Sequence, residues 1–129
     1  MFRPLIPAII WTIVVLLLTG IPGGLMPDVP KFMDLLQPDK LVHLFIFGLW
    51  VFLFAHGTSK FKSQHFLLQK SGVLSMVLGM IFGGFTEVLQ YYVIPGRSGN
   101  IYDFIADALG CYIGYLIFVR FKQKLWSRG

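Results

Sequence analysis

The fold is decided by residues 79–114, which read GMIFGGFTEVLQYYVIPGRSGNIYDFIADALGCYIG. Two apolar runs meet at Pro95-Gly96, a dipeptide that ends helices and marks a turn. Both runs are long enough to cross a bilayer, which takes roughly 20 apolar residues in a helix. Polar side chains nevertheless lie in this stretch: Glu87, Gln90, Arg97, Asp103 and Asp107. Because ionisable groups are costly in hydrocarbon, the pattern predicts a membrane protein with a functional site near the turn.

The composition of the whole chain agrees with this class. Hydrophobic residues make up 56% of the 129 residues and charged residues 13%, and the mean hydropathy is +0.72. Soluble domains carry roughly 25% charged residues, so the composition favours an integral membrane protein. The length fits a single domain, residues 1–129. The one cysteine, Cys111, allows neither an intrachain disulfide nor a cysteine-based metal cluster.

Four apolar segments predict an all-α bundle of four transmembrane helices. We expect the spans at about residues 5–21, 39–55, 72–93 and 101–119, with proline and glycine in the segments that follow the first and third. The first span is followed by LTGIPGGLMP, which lacks the small-residue pattern at which signal peptides are cleaved. We therefore expect this span to be retained in the membrane.

The net charge of +5 does not indicate nucleic-acid binding, because the charges are segregated along the chain. The charged residues of the N-terminus, the second loop and the C-terminus are all basic: Arg3, Lys60, Lys62, Lys70, Arg120, Lys122, Lys124 and Arg128. The first loop, the third loop and the adjoining helix ends carry three basic residues, Lys31, Lys40 and Arg97, and all six acids: Asp28, Asp34, Asp39, Glu87, Asp103 and Asp107. Since Lys and Arg in short loops mark the cytoplasmic side, we expect a multi-pass protein of the cell inner (plasma) membrane. Both termini would be cytoplasmic, and the acids would face the extracytoplasmic side.

Helical periodicity predicts that the polar residues converge. One face of the third span carries small and polar residues at intervals of three and four: Gly79, Gly83, Glu87 and Gln90. The fourth span has the same arrangement: Asp103, Asp107, Gly110 and Gly114. Both glycine pairs have the G-x-x-x-G spacing that lets helices approach closely. We therefore expect the two glycine faces to pack against each other, with the acids facing one another nearer the turn.

The second span and the turn add residues to the same region. Asp39 and His43 lie one helical turn apart, next to Lys40, and Arg97 in the turn has the reach to fold toward the acids. A compact bundle would gather these groups into one outward-facing polar pocket: Asp39, Lys40, His43, Glu87, Gln90, Arg97, Asp103 and Asp107.

This pattern resembles the VanZ-like family, on these residues: Asp39 and Lys40 with His43, Glu87 with Gln90, and Arg97 followed by Asp103, Asp107 and Gly110. The similarity runs from the second span to Gly114, and its motifs are spread over three helices. The family consists of small membrane-embedded proteins and is named for a protein linked to resistance against the glycopeptide antibiotic teicoplanin. The resemblance implies a role at the cell envelope, with an effect on teicoplanin susceptibility as one expectation.

Candidate roles follow from the chemistry of the side chains. His43, Glu87 and Asp107 are candidate catalytic residues, because imidazole and carboxylate groups exchange protons. The candidate substrate-binding residues are Asp39, Lys40, Gln90, Arg97 and Asp103, among which the arginine offers a fork matched to phosphate. A metal held by His43, Glu87 and Asp107 is chemically reasonable, but the spacing matches no metal motif. We therefore predict no metal, and the sequence assigns no cofactor.

Several candidates also have a structural explanation, whereas capping cannot explain Asp107, which lies a full turn deeper, and Glu87 lies deep in its span. Asp39 suits a helix N-cap, and Asp103 stands at a capping-box position. His43 could bond a helix carbonyl, Gln90 could join two helices, and Arg97 could pair with an acid to fix helix register.

Three hypotheses about function remain open. The first is an enzyme that acts on an anionic envelope lipid or lipid-linked precursor, and the second is a protein that binds such a head group without chemistry. The third is a structural or interaction protein whose polar cluster only fixes helix packing. Four short spans leave little room for a transport path in one protomer, so a channel or carrier would require an oligomer.

Overall fold

The computed structural model describes residues 3–20, 38–60, 70–93 and 101–128, with side chains at 3–20, 41–60, 70–93 and 103–124. A short 3-10 turn, Arg3–Leu5, leads into helix α1 (Ile6–Thr19). Three longer helices follow: α2 (Pro38–Ser59), α3 (Ser71–Tyr92) and α4 (Ile101–Arg128). None of the described residues lies in a strand. The predicted all-α architecture is confirmed.

Three helices are long and apolar enough to cross a membrane: Leu41–Ser59, Ser71–Tyr92 and Asp103–Lys124, with mean hydropathies of 1.8, 1.7 and 1.6. The apolar helix Arg3–Thr19 is shorter. It nevertheless reaches both ends of the bundle. A Cβ placed on Gly57, near the end of α2, would lie 2.6 Å from the carbonyl oxygen of Pro4. At the other end, the Gln90 amide of α3 donates to the carbonyl oxygen of Thr19, at 3.3 Å.

Two helices extend beyond the predicted spans. Helix α2 continues to Ser59 rather than residue 55, and α4 continues to Arg128 rather than residue 119. The sequence contains no proline or glycine between Val119 and Arg128, so nothing breaks the helix where the apolar run ends. At about 1.5 Å per residue, α4 is longer than the roughly 30 Å of bilayer hydrocarbon. Its basic last turns therefore extend past the apolar layer.

Helix α2 lies at the centre of the bundle and contacts the other three helices. The buried core comes mainly from its side chains, with one contribution each from α1 and α4: Ile46, Phe47, Trp50, Val51, Val15 and Cys111. Two indole groups join α1 to α2. Trp11 donates to the carbonyl oxygen of Ile46 at 2.8 Å, and Trp50 donates to the hydroxyl of Thr12 at 2.7 Å.

The glycine contacts differ from the prediction. Gly110 and Gly114 of α4 pack against the backbone of Leu44 and Gly48 on α2, so closely that an added Cβ would overlap it. The expectation that they face the glycines of α3 is therefore wrong. Helical phase gave the correct buried face of α4, but α2 also offers a small residue on its matching face, Gly48. The α3 glycines do face α4, where Gly83 packs on Asp107.

Helix α3 has its small and polar side chains on the buried face and its apolar side chains on the exposed face, the reverse of a helix on the surface of a soluble protein. On α3, the residues that face the bundle are small or polar: Ser71, Gly72, Ser75, Gly79, Gly83, Thr86, Glu87 and Gln90. Its exposed face is apolar: Val73, Val77, Ile81, Phe85, Val88 and Tyr92. Close packing of small residues and outward-facing aliphatic groups are typical of helices in lipid.

Candidate functional site

Four ionisable side chains from three helices meet near one end of the bundle. They are His43 of α2, Glu87 of α3, and Asp103 and Asp107 of α4, and all four are buried. We call them the acid–histidine cluster. Nδ1 of His43 lies 2.7 Å from Oδ1 of Asp107 and 3.9 Å from Oε1 of Glu87. Asp103 completes the group, because one ligand-type atom from each of His43, Glu87 and Asp103 lies within 4.8 Å of the others.

Helix geometry brings these residues together. Asp103 and Asp107 are one turn apart, so both project from one face of α4. Gly83 lies one turn before Glu87 on α3, and a Cβ at that glycine would lie 2.9 Å from Cβ of Asp107. The missing side chain lets α3 approach α4 at the level of the acids. The convergence that helical phase predicts is thus present for all four members of the cluster.

The histidine is held from two sides. Phe47, one turn along α2, stacks on the imidazole, with ring centroids 6.3 Å apart and an angle of 24° between the rings. With the proton on Nδ1, the imidazole N–H donates to the Asp107 carboxylate. This bond orients the ring, as a carboxylate does in acid–base pairs. Phe47 was not singled out from the sequence, although its i+4 spacing from His43 is the signal that would have found it.

The cluster is strongly acidic in its described part. It contains three carboxyl groups and a single imidazole, all of them largely removed from water. Such a group of side chains can hold and transfer protons. It also offers the nitrogen and oxygen donors that suit divalent ions, although the set within 4.8 Å contains Asp103 rather than the Asp107 considered from the sequence.

Gln90 lies beside the cluster but contacts a different partner. Its side chain is buried, and its amide donates to the carbonyl oxygen of Thr19 at the end of α1. The structure therefore shows Gln90 joining α3 to α1. The last turn of a helix leaves carbonyl oxygens without intrahelical donors, and the Gln90 amide supplies a donor to one of them.

Three of the predicted binding residues, Asp39, Lys40 and Arg97, have side chains that lie outside the described part of the structure. Asp39 and Lys40 belong to the first turn of α2, but their side chains lie outside the described part of the structure. Arg97 lies outside the described residues altogether. The roles assigned to these three residues stay predictions, as do the catalytic roles of His43, Glu87 and Asp107.

Comparison with known protein families gives a match over most of the chain. The family model described as VanZ/LLP1 matches residues 7–122, a range that includes every member of the acid–histidine cluster. Neither the curated proteins nor the solved structures contain a match. The family model covers most of the chain, as the resemblance predicted, and three helices have the length and hydropathy of membrane spans. The chain is therefore a membrane protein that belongs to the VanZ/LLP1 family.

Proposed function

We propose that this protein acts at the cell envelope, where its acid–histidine cluster binds and modifies the polar head of an anionic lipid or lipid-linked precursor. The observation that carries the proposal is the buried hydrogen bond of 2.7 Å between His43 and Asp107, with Glu87 beside it. Three helices each contribute an ionisable group to one place in a bundle whose outer surface is apolar. Ionisable residues inside membrane spans are costly and usually mark functional sites.

The chemistry would be proton transfer. Asp107 holds the imidazole of His43, so the ring is ready to accept a proton from an attacking group and to return it to a leaving group. Glu87, on another helix, is the second acid–base group of the proposal, and its Oε1 lies 3.9 Å from Nδ1 of His43. The reaction class that fits is transfer or hydrolysis at a head group. Asp103, the fourth member of the cluster, would contact the substrate.

An anionic head group also needs positive charge, which the described part of the cluster lacks. Arg97 and Lys40 are the basic residues that the sequence assigns to this end of the chain. Arg would form paired hydrogen bonds with a phosphate, and Lys would add a point charge. This part of the proposal rests on the sequence. The proposal therefore assigns the binding of the anionic substrate to Arg97. It assigns the proton transfer to His43, Glu87 and Asp107.

The test compares conservative variants in a bacterium that is sensitive to teicoplanin. Cells would express the unmodified protein, His43→Gln, Glu87→Gln or Asp107→Asn, and their envelope lipids and lipid-linked precursors would be profiled by mass spectrometry. We expect the unmodified protein to change the profile and the three variants to lose that change at equal membrane levels. Thr86→Val is the matched control, since Thr86 is buried next to Glu87 and its hydroxyl bonds only to the carbonyl oxygen of Gly83 among the described residues.

Teicoplanin susceptibility provides a second measurement in the same cells. We expect it to follow the lipid profile across the variants. A changed susceptibility with an unchanged lipid profile would favour binding without chemistry, especially if Arg97→Gln abolished the effect and Asp107→Asn did not. An unchanged lipid profile and an unchanged susceptibility would contradict the proposal.

One observation favours a purely structural role as the second candidate. The bond between His43 and Asp107 joins α2 to α4, and Glu87 brings α3 to the same point. A buried pair of this kind can fix the register of helices without any chemistry. Under this alternative, a variant with Glu87, Arg97 and Asp107 replaced by apolar residues of matched size would remain folded and fully active.

A further inference from the structure

A second polar feature lies at the opposite end of the bundle from the acid–histidine cluster. A cavity of about 430 Å³ lies where α3 begins and the last turns of α4 pass beside it. Polar and aromatic side chains line it, among them Lys70, Ser71, Lys122, Gln123, Tyr115 and Phe118. We call this cavity the basic cleft. It shares no residue with the acid–histidine cluster.

The start of α3 supplies backbone donors to the cleft. The first N–H groups of a helix have no acceptor within the helix, and they carry the positive end of its dipole. Lys70 occupies the N-cap position, and its side chain makes no capping hydrogen bond. Asp, Ser or Thr at this position would satisfy one of these donors. A lysine instead adds positive charge to a helix end that already favours anions.

A buried hydroxyl points to a ligand independently of the helix end. Ser71 lines the cleft and is only 1% exposed, and its Oγ has no hydrogen-bond partner within the part of the chain that the structure describes. Ser75, one turn later, shows the usual alternative: its hydroxyl donates to the carbonyl oxygen of Ser71 at 2.6 Å. Buried polar atoms are normally paired. A ligand oxygen in the cleft would give the Ser71 hydroxyl its partner.

The charge of this region is of one sign. Lys70 and Lys122 line the cleft, and further basic side chains are exposed around this end: Arg3, Lys60, Arg120 and Lys124. The acids with described side chains, Glu87, Asp103 and Asp107, all belong to the other end. Among the described side chains, the carboxylates lie at the opposite end from Lys70 and Lys122, so the charge of the cleft favours an anion.

The wall of the cleft is apolar and continues onto the outer surface. Val73 lines the cleft and also belongs to the exposed apolar face of α3, with 42% of its surface exposed. Gly72 lets the rings of Tyr115 and Phe118 pack closely on the start of α3, because a Cβ there would lie 3.1 Å from the ring of Tyr115 and 3.2 Å from that of Phe118. A ligand that fits both parts has a compact anionic head and an apolar tail.

We propose that the basic cleft binds the phosphate head group of an anionic membrane lipid, whose acyl chain lies along Val73 and Val119. The phosphate oxygens accept hydrogen bonds from Ser71 and from the first amides of α3, and Lys70 and Lys122 balance the charge. This proposal does not depend on the chemistry of the acid–histidine cluster. It assigns a lipid site to the end of the bundle that the basic residues predict to be cytoplasmic.

The test measures lipid retention by the purified full-length chain. The protein would be exchanged from nanodiscs of phosphatidylcholine containing phosphatidylglycerol into detergent, and the retained lipids would be counted by native mass spectrometry. We expect one tightly held phosphatidylglycerol. In Lys70→Gln/Lys122→Gln, we expect its affinity to fall about thirtyfold, since each of the two basic residues contributes roughly 1 kcal/mol toward an anionic lipid at a membrane surface.

Matched variants separate the cleft from general electrostatic attraction. Lys60→Gln/Arg120→Gln removes the same charge at the same end of the bundle but leaves the lining of the cleft intact, and it should retain the lipid. Ser71→Ala, which changes no charge, should weaken retention and leave thermal stability unchanged. Equal retention by the unmodified protein and the Lys70/Lys122 variant would overturn the proposal, as would an equal loss in the Lys60/Arg120 variant.

Two competitors identify the source of the phosphate. Diacylglycerol has the acyl chains without the phosphate and should not displace phosphatidylglycerol. Inorganic phosphate has the anion without the chains and should displace it only at much higher concentration. Displacement by inorganic phosphate at the concentration of the lipid itself would show a simple anion site and would overturn the assignment to a lipid.

Discussion

At the scale of single residues, the contact between His43 and Asp107 is the one on which the proposed function depends. Both side chains are almost completely buried, at 3% and 0% exposure, and the two groups belong to different helices. A hydrogen bond between helices in a membrane contributes roughly 0.6 kcal/mol on average and about 1.7 kcal/mol at most. We therefore expect the pair to contribute only modestly to the stability of the bundle.

A double-mutant cycle tests this expectation. We expect His43→Gln and Asp107→Asn each to lower the free energy of unfolding, with a coupling energy of about 1 kcal/mol between them. Unfolding would be followed by tryptophan fluorescence in mixed micelles as the fraction of sodium dodecyl sulfate rises. Thr58→Val with Asp107→Asn is the control pair, because the hydroxyl of Thr58 bonds carbonyl oxygens of its own helix. Additive effects of His43→Gln and Asp107→Asn would show that the two groups are not paired.

At the scale of helices, the glycines determine which helices can pack closely against each other. The contact between α2 and α4 is made of backbone against backbone, because Gly48, Gly110 and Gly114 have no side chain to separate them. The sequence showed the two glycines of α4 and their common face. It did not show the neighbour, since helical phase says which side of a helix is buried and says nothing about the helix that covers it. Gly48 stands in a run of bulky apolar residues and gave no spacing signal.

Alanine substitutions test the close approach. We expect Gly114→Ala to destabilise the protein by about 1–3 kcal/mol, because a methyl group would overlap the backbone of Gly48 and neither backbone can move without separating the helices. Gly84→Ala is the matched control, since its nearest contact is an ordinary 3.4 Å from the ring of Phe104. Thermal unfolding of both variants in the same detergent measures the difference. Equal melting temperatures for the two would mean that α2 and α4 are not in contact at this point.

At the scale of the whole molecule, the chain separates its charges by end. The basic cleft and its surrounding Lys and Arg residues lie at one end, and the acid–histidine cluster lies near the other. Composition and periodicity were enough to predict the helical bundle, its membrane class and the convergence of the acids. They did not predict the cleft, because its residues come from separate parts of the chain and become neighbours only when α3 packs beside the end of α4.

Labelling from the two sides of the membrane tests the orientation. In a Cys111→Ser background, we expect Tyr92→Cys to react with a membrane-impermeant thiol reagent added outside intact cells, and Ser59→Cys to react only after the membrane is opened. Both positions are exposed at helix ends. A reporter fused at each terminus should be cytoplasmic if α1 crosses the membrane. Termini on opposite sides would show that only three helices cross and would contradict the four-span prediction.

The single thiol of the chain has a practical consequence. Cys111 is fully buried at the point where Gly79 of α3 meets α4, and a Cβ on that glycine would lie 2.8 Å from the sulfur. A small alkylating agent can reach this sulfur only during moments when α3 separates from its neighbours. The rate of alkylation of the natural protein therefore reports how often the bundle opens, and a ligand that slows this rate on binding could be detected before its role is known.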